Sequence, residues 1–474
     1  MSRKEKVIVL CLFLAAFFLI KAPFYSQQPV GEEGFFAQIF FASPTKPNFL
    51  LRGRINGQET YGPSGHPSLI YEAQSGLGQI ISSLVNFNSL SEKSSFFLVR
   101  LAFSLFQFVV WLSLLLVLLR DPPENSHRTL FWLLGAVIIS PIAISLAIQL
   151  QVDGTVGVLA FGIVAMSMLI QVRGKVPKSL SYVLIFVGSL YIGCGKADWS
   201  VILLVTMLGS LFYFLLVRRL DSNIFIFLTL GMLGLVLGNV ISYYYDPKMY
   251  LADRNMLLRM LNKANILGLS MPKHETVGSK GAFSLLEWLK ITGLRMPFII
   301  VNIGLVSSIL ILIKKRLKEN HPFVMISVVF GLCSFFAYFL TTNFKYPESR
   351  FFAPSLVALS FALVAVFPSE LTDKMKNVFK KAVIVMAAYT LILIIVAKVL
   401  NVSITLQAGV FLDKYYTKSY LDKFKGQDCV VRVPVSIGFN KPDIDFIHNG
   451  SGRAFAVKLA EKYGKRLCDM KKNN

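Results

Sequence analysis

The chain has 474 residues, of which 54% are hydrophobic, 13% are aromatic and only 16% are charged. This composition excludes an ordinary soluble globular protein, since apolar runs long enough to cross a bilayer recur along most of the chain. The net charge of +23 does not indicate a nucleic-acid partner, because the basic residues are spread between the apolar runs. Membrane lipids and lipids that carry phosphate are the expected partners.

The first apolar segment follows a basic start, in "MSRKEKVIVLCLFLAAFFLIKAPF". It is either a cleaved signal peptide or a first membrane anchor, and we favour the anchor because no clear small-x-small cleavage site follows. Further spans are predicted near 96–119, 130–149, 154–171, 180–195, 199–217, 223–244, 295–313, 322–341, 351–367 and 382–400. The fold class is therefore all-α and polytopic, with about 11 transmembrane helices.

The orientation follows from the basic residues of the short links. With the N-terminus inside, the links on the cytoplasmic side carry far more Lys and Arg than the short outer links do, as the positive-inside rule requires. We expect a multi-pass protein of the inner (plasma) membrane. Its outer parts are two long loops at about 22–95 and 245–294, the first with an amphipathic interfacial helix near 69–90.

The chain divides into a membrane domain, residues 1–400, and an extracytoplasmic tail, residues 401–474. In the tail, "DCVVRVPVSIGF" predicts a strand and "GSGRAFAVKLAEKYGKRLC" predicts a helix, which together indicate a small α/β appendage. Cys429 and Cys468 either pair in an oxidising compartment or remain free thiols. Zinc is not expected, because no CxxC and no Cys-His metal spacing occurs.

Ionisable residues gather on the predicted outer side. Glu32 and Glu33 lie in the first outer loop, and Asp153, Lys196 and Arg350 lie at short outer junctions. Ionisable groups at helix ends near a bilayer often mark a reaction or transport site. Each also has an ordinary explanation: solvated loop carboxylates that favour a helix dipole, a helix N-cap at Asp153, or basic side chains that snorkel to headgroups.

A Gly/Pro-rich turn in the same outer loop, "YGPSGHPSLIYE", contains His66 and Tyr71. Proline and glycine alone explain a turn that leads into the interfacial helix. The alternative is that the turn presents His66 to the outer cavity. The sequence is compatible with both the structural turn and the functional role of His66.

Several motifs resemble one membrane enzyme family. "GEEGFFAQI" resembles the acidic-pair motif in the first outer loop of the C-type (GT-C) membrane glycosyltransferases, in the branch of protein O-mannosyltransferases (dolichyl-phosphate-mannose-protein mannosyltransferases) and bacterial lipid A aminoarabinose transferases. "GHPSLIYE" resembles its "HPPL-x-Y" turn. "SPIAISLAIQLQVDGTVGVLAFGIVAMSML", "GSLYIGCGKADWSVILL" and "ESRFFAPSLVALS" resemble its later spans. Order and spacing match over roughly residues 5–370.

The chain departs from the family pattern at several positions. Glu32 stands where the family usually has Asp, Ser68 replaces the second Pro of "HPPL", and Ala197 replaces the Gly after the Lys of the "G-x-x-K-G" junction. The third span also lacks the usual Arg before the second acidic residue. These changes bear on the donor sugar and on activation rather than on the fold.

The resemblance implies transfer of a sugar, with inversion, from a polyprenyl-phosphate donor to a glycan, lipid or protein acceptor at the extracytoplasmic face. Such transfer needs a base for the acceptor proton and stabilisation of the leaving phosphate. Glu32 is the expected base. Glu33 and Asp153 would shape the site or hold a divalent metal cation, the one cofactor that this chemistry leaves open.

Basic residues complete the expected site. By the resemblance, Lys196 and Arg350 would bind the donor phosphate, Arg through a bidentate fork and Lys as a point charge. Further candidates for substrate binding are His66 and Tyr71 in the first outer loop and Arg254 and Arg259 in the second.

Two other function classes compete with a glycosyltransferase. A transporter or flippase for a lipid-linked or anionic substrate would show an inverted repeat and broken helices near the midplane, and the sequence shows no clear repeat. A non-catalytic scaffold whose outer tail binds an envelope partner would leave Glu32, Asp153 and Lys196 without a role.

Overall fold

The structure is a computed structural model. It describes residues 3–19, 52–55, 58–61, 84, 92–120, 153–173, 176–245, 247, 250–251, 253–255, 303–313, 321–341, 352–367, positions at intervals between 372 and 395, 429–430 and 466–467. Within these residues the chain is helical apart from two short strand pairs.

The helices are, in chain order, α1 (Arg3–Leu19), α2 (Glu92–Arg120), α3 (Val158–Arg173), α4 (Lys178–Gly193), α5 (Ala197–Leu216), α6 (Ser222–Tyr245), α7 (Ile303–Ile313), α8 (Pro322–Thr341) and α9 (Phe352–Val366). A π-helical turn, Asp153–Gly157, leads directly into α3. Helical residues also recur between 373 and 395. The predicted span at 130–149 and the predicted interfacial helix near 69–90 lie outside the described residues, apart from Leu84.

Four described segments are long and apolar enough to cross a membrane: Arg100–Leu119, Gly154–Arg173, Ala197–Leu216 and Ser222–Tyr245. Shorter apolar helices occupy Lys178–Gly193, Ile303–Ile313, Pro322–Ala337 and Ala353–Val366. The prediction of a helical membrane protein is therefore confirmed. Helices form at these runs because a bilayer offers no partner for backbone N–H and C=O groups, which must pair within the segment.

α2 and α3 run in the same direction. The Gln107 side chain of α2 donates to the Gly154 carbonyl at 2.8 Å, and Val110, one turn later, packs against Gly162. The span predicted at 130–149 lies between these two helices in the sequence and stays a prediction.

α3 and α4 are antiparallel. The Ser181 hydroxyl, near the start of α4, donates to the Ser167 carbonyl near the end of α3 at 2.9 Å. Gly188, further along α4, lies against Val164, which is earlier in α3. The pair forms an antiparallel helical hairpin.

α9 runs parallel to α3. A Cβ on Gly157, at the start, would lie 3.4 Å from Pro354 Cγ. At the other end Arg173 Nη2 donates to the Val364 carbonyl at 2.7 Å. Arg173 lies in the last turn of α3, where its positive charge interacts favourably with the negative end of the helix dipole.

α4 and α6 are parallel and approach backbone to backbone. A Cβ on Gly234 would meet the Phe186 carbonyl, and a Cβ on Gly238 would meet the Leu190 carbonyl one turn further on. The spacing Gly234-x3-Gly238 is the small-residue pattern that lets helices pack closely in membranes.

These directions define two ends of the bundle. At the junction end, α3, α5 and α9 begin and α4 and α6 end. At the basic end, α3, α5 and α9 end and α4, α6 and α8 begin; the first residues of α6 and α8 meet there, with the Phe227 and Phe323 rings 5.0 Å apart. The basic end takes its name from Arg173, Lys178, Arg218 and Arg219.

Two helix ends at the basic end have well-formed caps. After α5, the Arg219 N–H donates to the Phe214 carbonyl and the Arg218 N–H donates to the Leu215 carbonyl, which is a Schellman motif. Its central residue, Arg218, has a φ of 52°, a conformation that favours glycine. At the start of α6, the Asp221 carboxylate accepts the Ile224 N–H at 2.7 Å as an N-cap.

Aromatic rings fill the space between helices. Phe161 of α3 stacks on Phe330 of α8, with ring centroids 5.2 Å apart. Phe17 of α1 is fully buried and lies 5.4 Å from the Phe108 ring of α2. The first helix therefore packs against the bundle.

Two strand pairs lie outside the bundle helices. β1 (Arg52–Ile55) and β2 (Gln58–Tyr61) form an antiparallel hairpin in the first loop, which the sequence analysis did not predict. In the tail, β3 (Cys429–Val430) agrees with the predicted strand and pairs in parallel with β4 (Arg466–Leu467). The prediction of a helix that continues through Arg466 is thus wrong at its end, because these residues take a strand pairing instead. Whether Cys429 and Cys468 form a disulfide stays untested, because their side chains lie outside the described part of the chain.

Candidate functional site: a buried charged cluster at the junction end

The predicted site residues fall into three groups by how much of each the structure describes. Glu32, Glu33, His66, Tyr71, Arg259 and Arg350 lie outside the described residues. Asp153 is described in its backbone, as the first residue of the π-helical turn. Lys196 and Arg254 are described in full, and both lie at the junction end of the bundle.

Three helix starts meet around the indole of Trp199 at the junction end. A Cβ on Gly157, in the turn that Asp153 opens, would lie 2.7 Å from Trp199 Cζ2 and 3.4 Å from Pro354 Cγ. Trp199 itself follows Lys196 in the first turn of α5. The structure therefore brings together the chain segment of Asp153, the start of α5 after Lys196, and the first turn of α9.

The π-helical turn is tied to α2. The carbonyl of Gly154, next to Asp153, accepts the buried Gln107 side-chain N–H. π-helical turns are rare and are frequent at functional sites, because they widen the helix and redirect side chains. The segment of Asp153 is thus fixed on two sides, by Gln107 and by the packing of Gly157 on Trp199.

Lys196 stands at the N-cap position of α5 and is 3% exposed. Its backbone is extended, with φ −67° and ψ 152°, and its side chain makes no capping hydrogen bond. Its carbonyl accepts the Ser200 N–H at 3.2 Å, and its ammonium lies 5.9 Å from the centroid of a Trp199 ring. A lysine cannot accept the free N–H groups at the helix start, so another residue has to do so.

Asp253 supplies the missing cap. Its Oδ2 accepts the Ala197 N–H at 2.7 Å, although 56 positions separate the two residues. The carboxylate is 2% exposed. A carboxylate at a helix N-terminus is favoured both by the unpaired N–H groups and by the helix dipole.

Arg254 completes the cluster and fixes Asp253. Arg254 Nη1 donates to Asp253 Oδ2 at 2.6 Å and to the Gly195 carbonyl at 3.2 Å, while Nη2 donates to Asn239 Oδ1 at 2.6 Å. The guanidinium also lies 4.1 Å from the Tyr250 ring centroid. Arg254 was expected to bind substrate; its described contacts are with groups of the protein.

The cluster is anchored on α6 by Asn239. Besides the Arg254 bond, Asn239 Oδ1 accepts the Tyr250 hydroxyl at 3.1 Å, and its amide donates to the Leu235 carbonyl at 2.8 Å. The neighbouring Gly238 carbonyl accepts the Cys194 thiol at 3.4 Å. The turn between α4 and α5 is therefore held against the end of α6.

Two buried donors at the same junction have no hydrogen-bond partner among the described residues: Trp199 Nε1 and Ser355 Oγ. A buried polar group without a partner costs about 1–3 kcal/mol. Ser355 follows Pro354, which contacts the same glycine as Trp199 does. These groups suit a site where water or a ligand supplies the missing acceptor.

Sequence reasoning missed two charged residues. Asp253 carries no local signal, because its partner Ala197 is distant in sequence. Arg100, in α2, is fully buried and is the first residue of the candidate span Arg100–Leu119. An arginine inside an apolar run is costly and is commonly functional, so the isolated charge in the span at 96–119 was an available signal.

Within the described part of the chain, no group of three or more His, Cys, Asp or Glu residues is arranged to hold a metal ion. The two residues considered for a metal, Glu33 and Asp153, have side chains outside the description. Comparisons with protein-family models, curated proteins and solved structures found no match to this chain.

Proposed function

We propose that the protein is a membrane glycosyltransferase that moves a sugar from a polyprenyl-phosphate donor to an acceptor at the extracytoplasmic face of the inner membrane. The observation that carries the proposal is the junction around Trp199. There the turn of Asp153, the start of α5 beside Lys196 and the start of α9 adjoin one another. Carboxylates and cations on these segments would then lie close to one another. Sugar transfer from a phosphate requires both, a carboxylate as the base and cations to stabilise the leaving phosphate.

The position of the junction end supports a lipid-borne substrate. α6 ends there in three consecutive tyrosines, Tyr243, Tyr244 and Tyr245, all exposed. Exposed aromatic residues at a helix end are typical of the membrane–water interface. These tyrosines support a location of the charged cluster near the interface, at the depth that we propose for the phosphate of a polyprenyl phosphate. The opposite, basic end suits the cytoplasmic side by the positive-inside rule.

The chemistry is a single displacement. The acceptor oxygen attacks the anomeric carbon, its proton passes to the Glu32 carboxylate, and the bond from that carbon to the phosphate oxygen breaks. Polyprenyl phosphate leaves with the bonding electrons. Lys196 and Arg350 offset the charge that develops on the phosphate, while Glu33 and Asp153 orient the acceptor or hold a divalent cation.

The experiment measures release of polyprenyl phosphate from purified protein in lipid nanodiscs, with a panel of polyprenyl-phosphate sugars and with glycan, lipid and peptide acceptors. Glu32→Gln and Asp153→Asn are expected to lower the rate by at least about 100-fold, the lower range for loss of an acid–base group. Asp373→Asn is the matched control, because Asp373 is an exposed carboxylate paired with Lys376 at 3.0 Å. It should keep the wild-type rate.

Two results would contradict the proposal. Release that persists in both Glu32→Gln and Asp153→Asn would remove the carboxylates from the reaction. No release from any donor, together with donor movement across the bilayer of vesicles that contain the protein, would establish the transporter class instead.

A further inference from the structure

The backbone on both sides of Lys196 is held by two consecutive residues. Arg254 binds the Gly195 carbonyl, which belongs to the peptide group before Lys196. Asp253 binds the Ala197 N–H, which belongs to the peptide group after it. Rotation about φ and ψ of Lys196 moves these two peptide groups relative to each other, so holding both fixes the direction of its Cα–Cβ bond.

Asp253 and Arg254 are also fixed relative to each other. They share an ion pair with an N···O distance of 2.6 Å, and the Asp253 side chain is almost fully buried. Arg254 reaches further to Asn239 in α6 and stacks on Tyr250. Breaking one partner of a buried pair is strongly destabilising, so the two residues act as a unit.

The ordinary explanation of such a pair is structural: it caps α5 and ties the start of α5 to Asn239 of α6. That explanation does not require the two bonds to flank the same residue. They flank Lys196, whose ammonium lies by Trp199 at the centre of the three helix starts. The pair thus holds the backbone of a cation whose ammonium lies near Trp199, the residue against which the turn of Asp153 packs.

We propose that Asp253 and Arg254 are positioning residues that clamp the peptide groups on either side of Lys196 and so hold its ammonium towards the donor phosphate. The inference rests on the function proposed above. It also links the second outer loop, which begins after α6, to the reacting phosphate: a change in residues 250–255 is transmitted to Lys196 through two hydrogen bonds.

The experiment is a double-mutant cycle on the dissociation constant of polyprenyl phosphate, measured with the protein in nanodiscs. Lys196→Met removes the cation, Asp253→Ala removes the clamp, and a third variant combines both changes. Lys196→Met and Asp253→Ala should each raise Kd about tenfold, a change within the range of directly coupled residues. The combined variant should resemble Lys196→Met alone, because a clamp without its lysine has nothing to position.

Asp221→Ala is the matched control for loss of a helix cap. Asp221 caps α6 with the same 2.7 Å bond length but at the basic end. It should lower thermal stability as Asp253→Ala does and leave Kd unchanged. Asp253→Asn, which keeps an oxygen for the Ala197 N–H and loses the ion pair, should raise Kd about threefold and serves if Asp253→Ala does not fold.

The outcomes separate the two proposals. Suppose that Lys196→Met weakens binding and that Asp253→Ala raises Kd by the same factor in the wild-type protein and in the Lys196→Met variant. The positioning role of Asp253 is then overturned, while the phosphate-binding role of Lys196 stands. If Lys196→Met leaves Kd unchanged, the phosphate role itself fails and the positioning role fails with it. Non-additive effects, with Asp221→Ala unchanged in Kd, establish the clamp.

Discussion

The close approach of α4 and α6 gives the sharpest test of the fold, because three glycines form the contact with no side chain between the backbones. We consider Gly238→Ala. The added methyl group would meet the Leu190 carbonyl oxygen, and it would lie 3.0 Å from both the Cys194 nitrogen and the Gly193 Cα. All three are backbone atoms of or just after α4, so no rotamer change relieves the contact.

The magnitude follows from what has to move. To relieve the overlap of the added methyl group with the α4 backbone, α4 and α6 have to separate by up to about 1 Å. A gap of that size loses about a quarter to a half of the dispersion attraction between the two helices at this contact. Overpacking costs about 1–3 kcal/mol where side chains adjust, and a backbone contact belongs at the upper end. Alanine returns about 0.5–1 kcal/mol through its helix propensity. The net loss in the free energy of unfolding is therefore about 2 kcal/mol.

The assay is reversible unfolding in mixed micelles, followed by far-UV circular dichroism as the fraction of denaturing detergent rises. Gly209→Ala is the matched control: Gly209 lies within α5, and no atom lies within 4 Å of a Cβ placed there. It should gain about 0.5–1 kcal/mol, so the two alanine variants should change stability in opposite directions. A Gly238→Ala protein as stable as Gly209→Ala would show that α4 and α6 do not touch as described.

Three further predictions concern the basic end. Arg218→Gly should stabilise the protein by about 1 kcal/mol in the same unfolding assay, since glycine adopts a φ of 52° without strain. Asp221→Ala should destabilise by about 1 kcal/mol, because the Ile224 N–H loses its cap. Arg173→Met should cost about 2 kcal/mol through the lost charge-assisted bond to the Val364 carbonyl, whereas Arg173→Lys should cost less; equal losses for both would argue against that bond.

The helices could be predicted closely because their cause is local. The spans expected at 223–244 and 322–341 correspond to Ser222–Tyr245 and Pro322–Thr341. An apolar run of this length in a bilayer can pair its backbone N–H and C=O groups only by forming a helix. The helix ends where polar residues resume in the sequence. The hairpin of β1 and β2 was missed, although Asn56-Gly57 between the strands is a strong hairpin signal.

The candidate site was predictable only in part. Lys196 was expected at a helix junction because a charge between two apolar runs is visible in the sequence. Asp253 was not, since its importance arises from a bond to Ala197 across 56 positions. The same holds for the packing of Gly157 on Trp199: it needs the relative placement of α3 and α5, and no local pattern encodes that placement.

The helix packing and the charged cluster depend on each other. Gly238 permits α4 and α6 to touch, and the next residue, Asn239, receives the Arg254 bond that anchors the clamp on Lys196. A side chain at Gly238 that separates the helices would draw Asn239 away from the turn between α4 and α5. Since Arg254 must span both Asn239 and Gly195, it would lose one of the two. The contact at Gly238 thus sets the geometry of the Arg254 guanidinium, which it does not touch. Gly238→Ala should therefore weaken the proposed binding of polyprenyl phosphate as well as lower stability. Gly209→Ala should leave that binding unchanged.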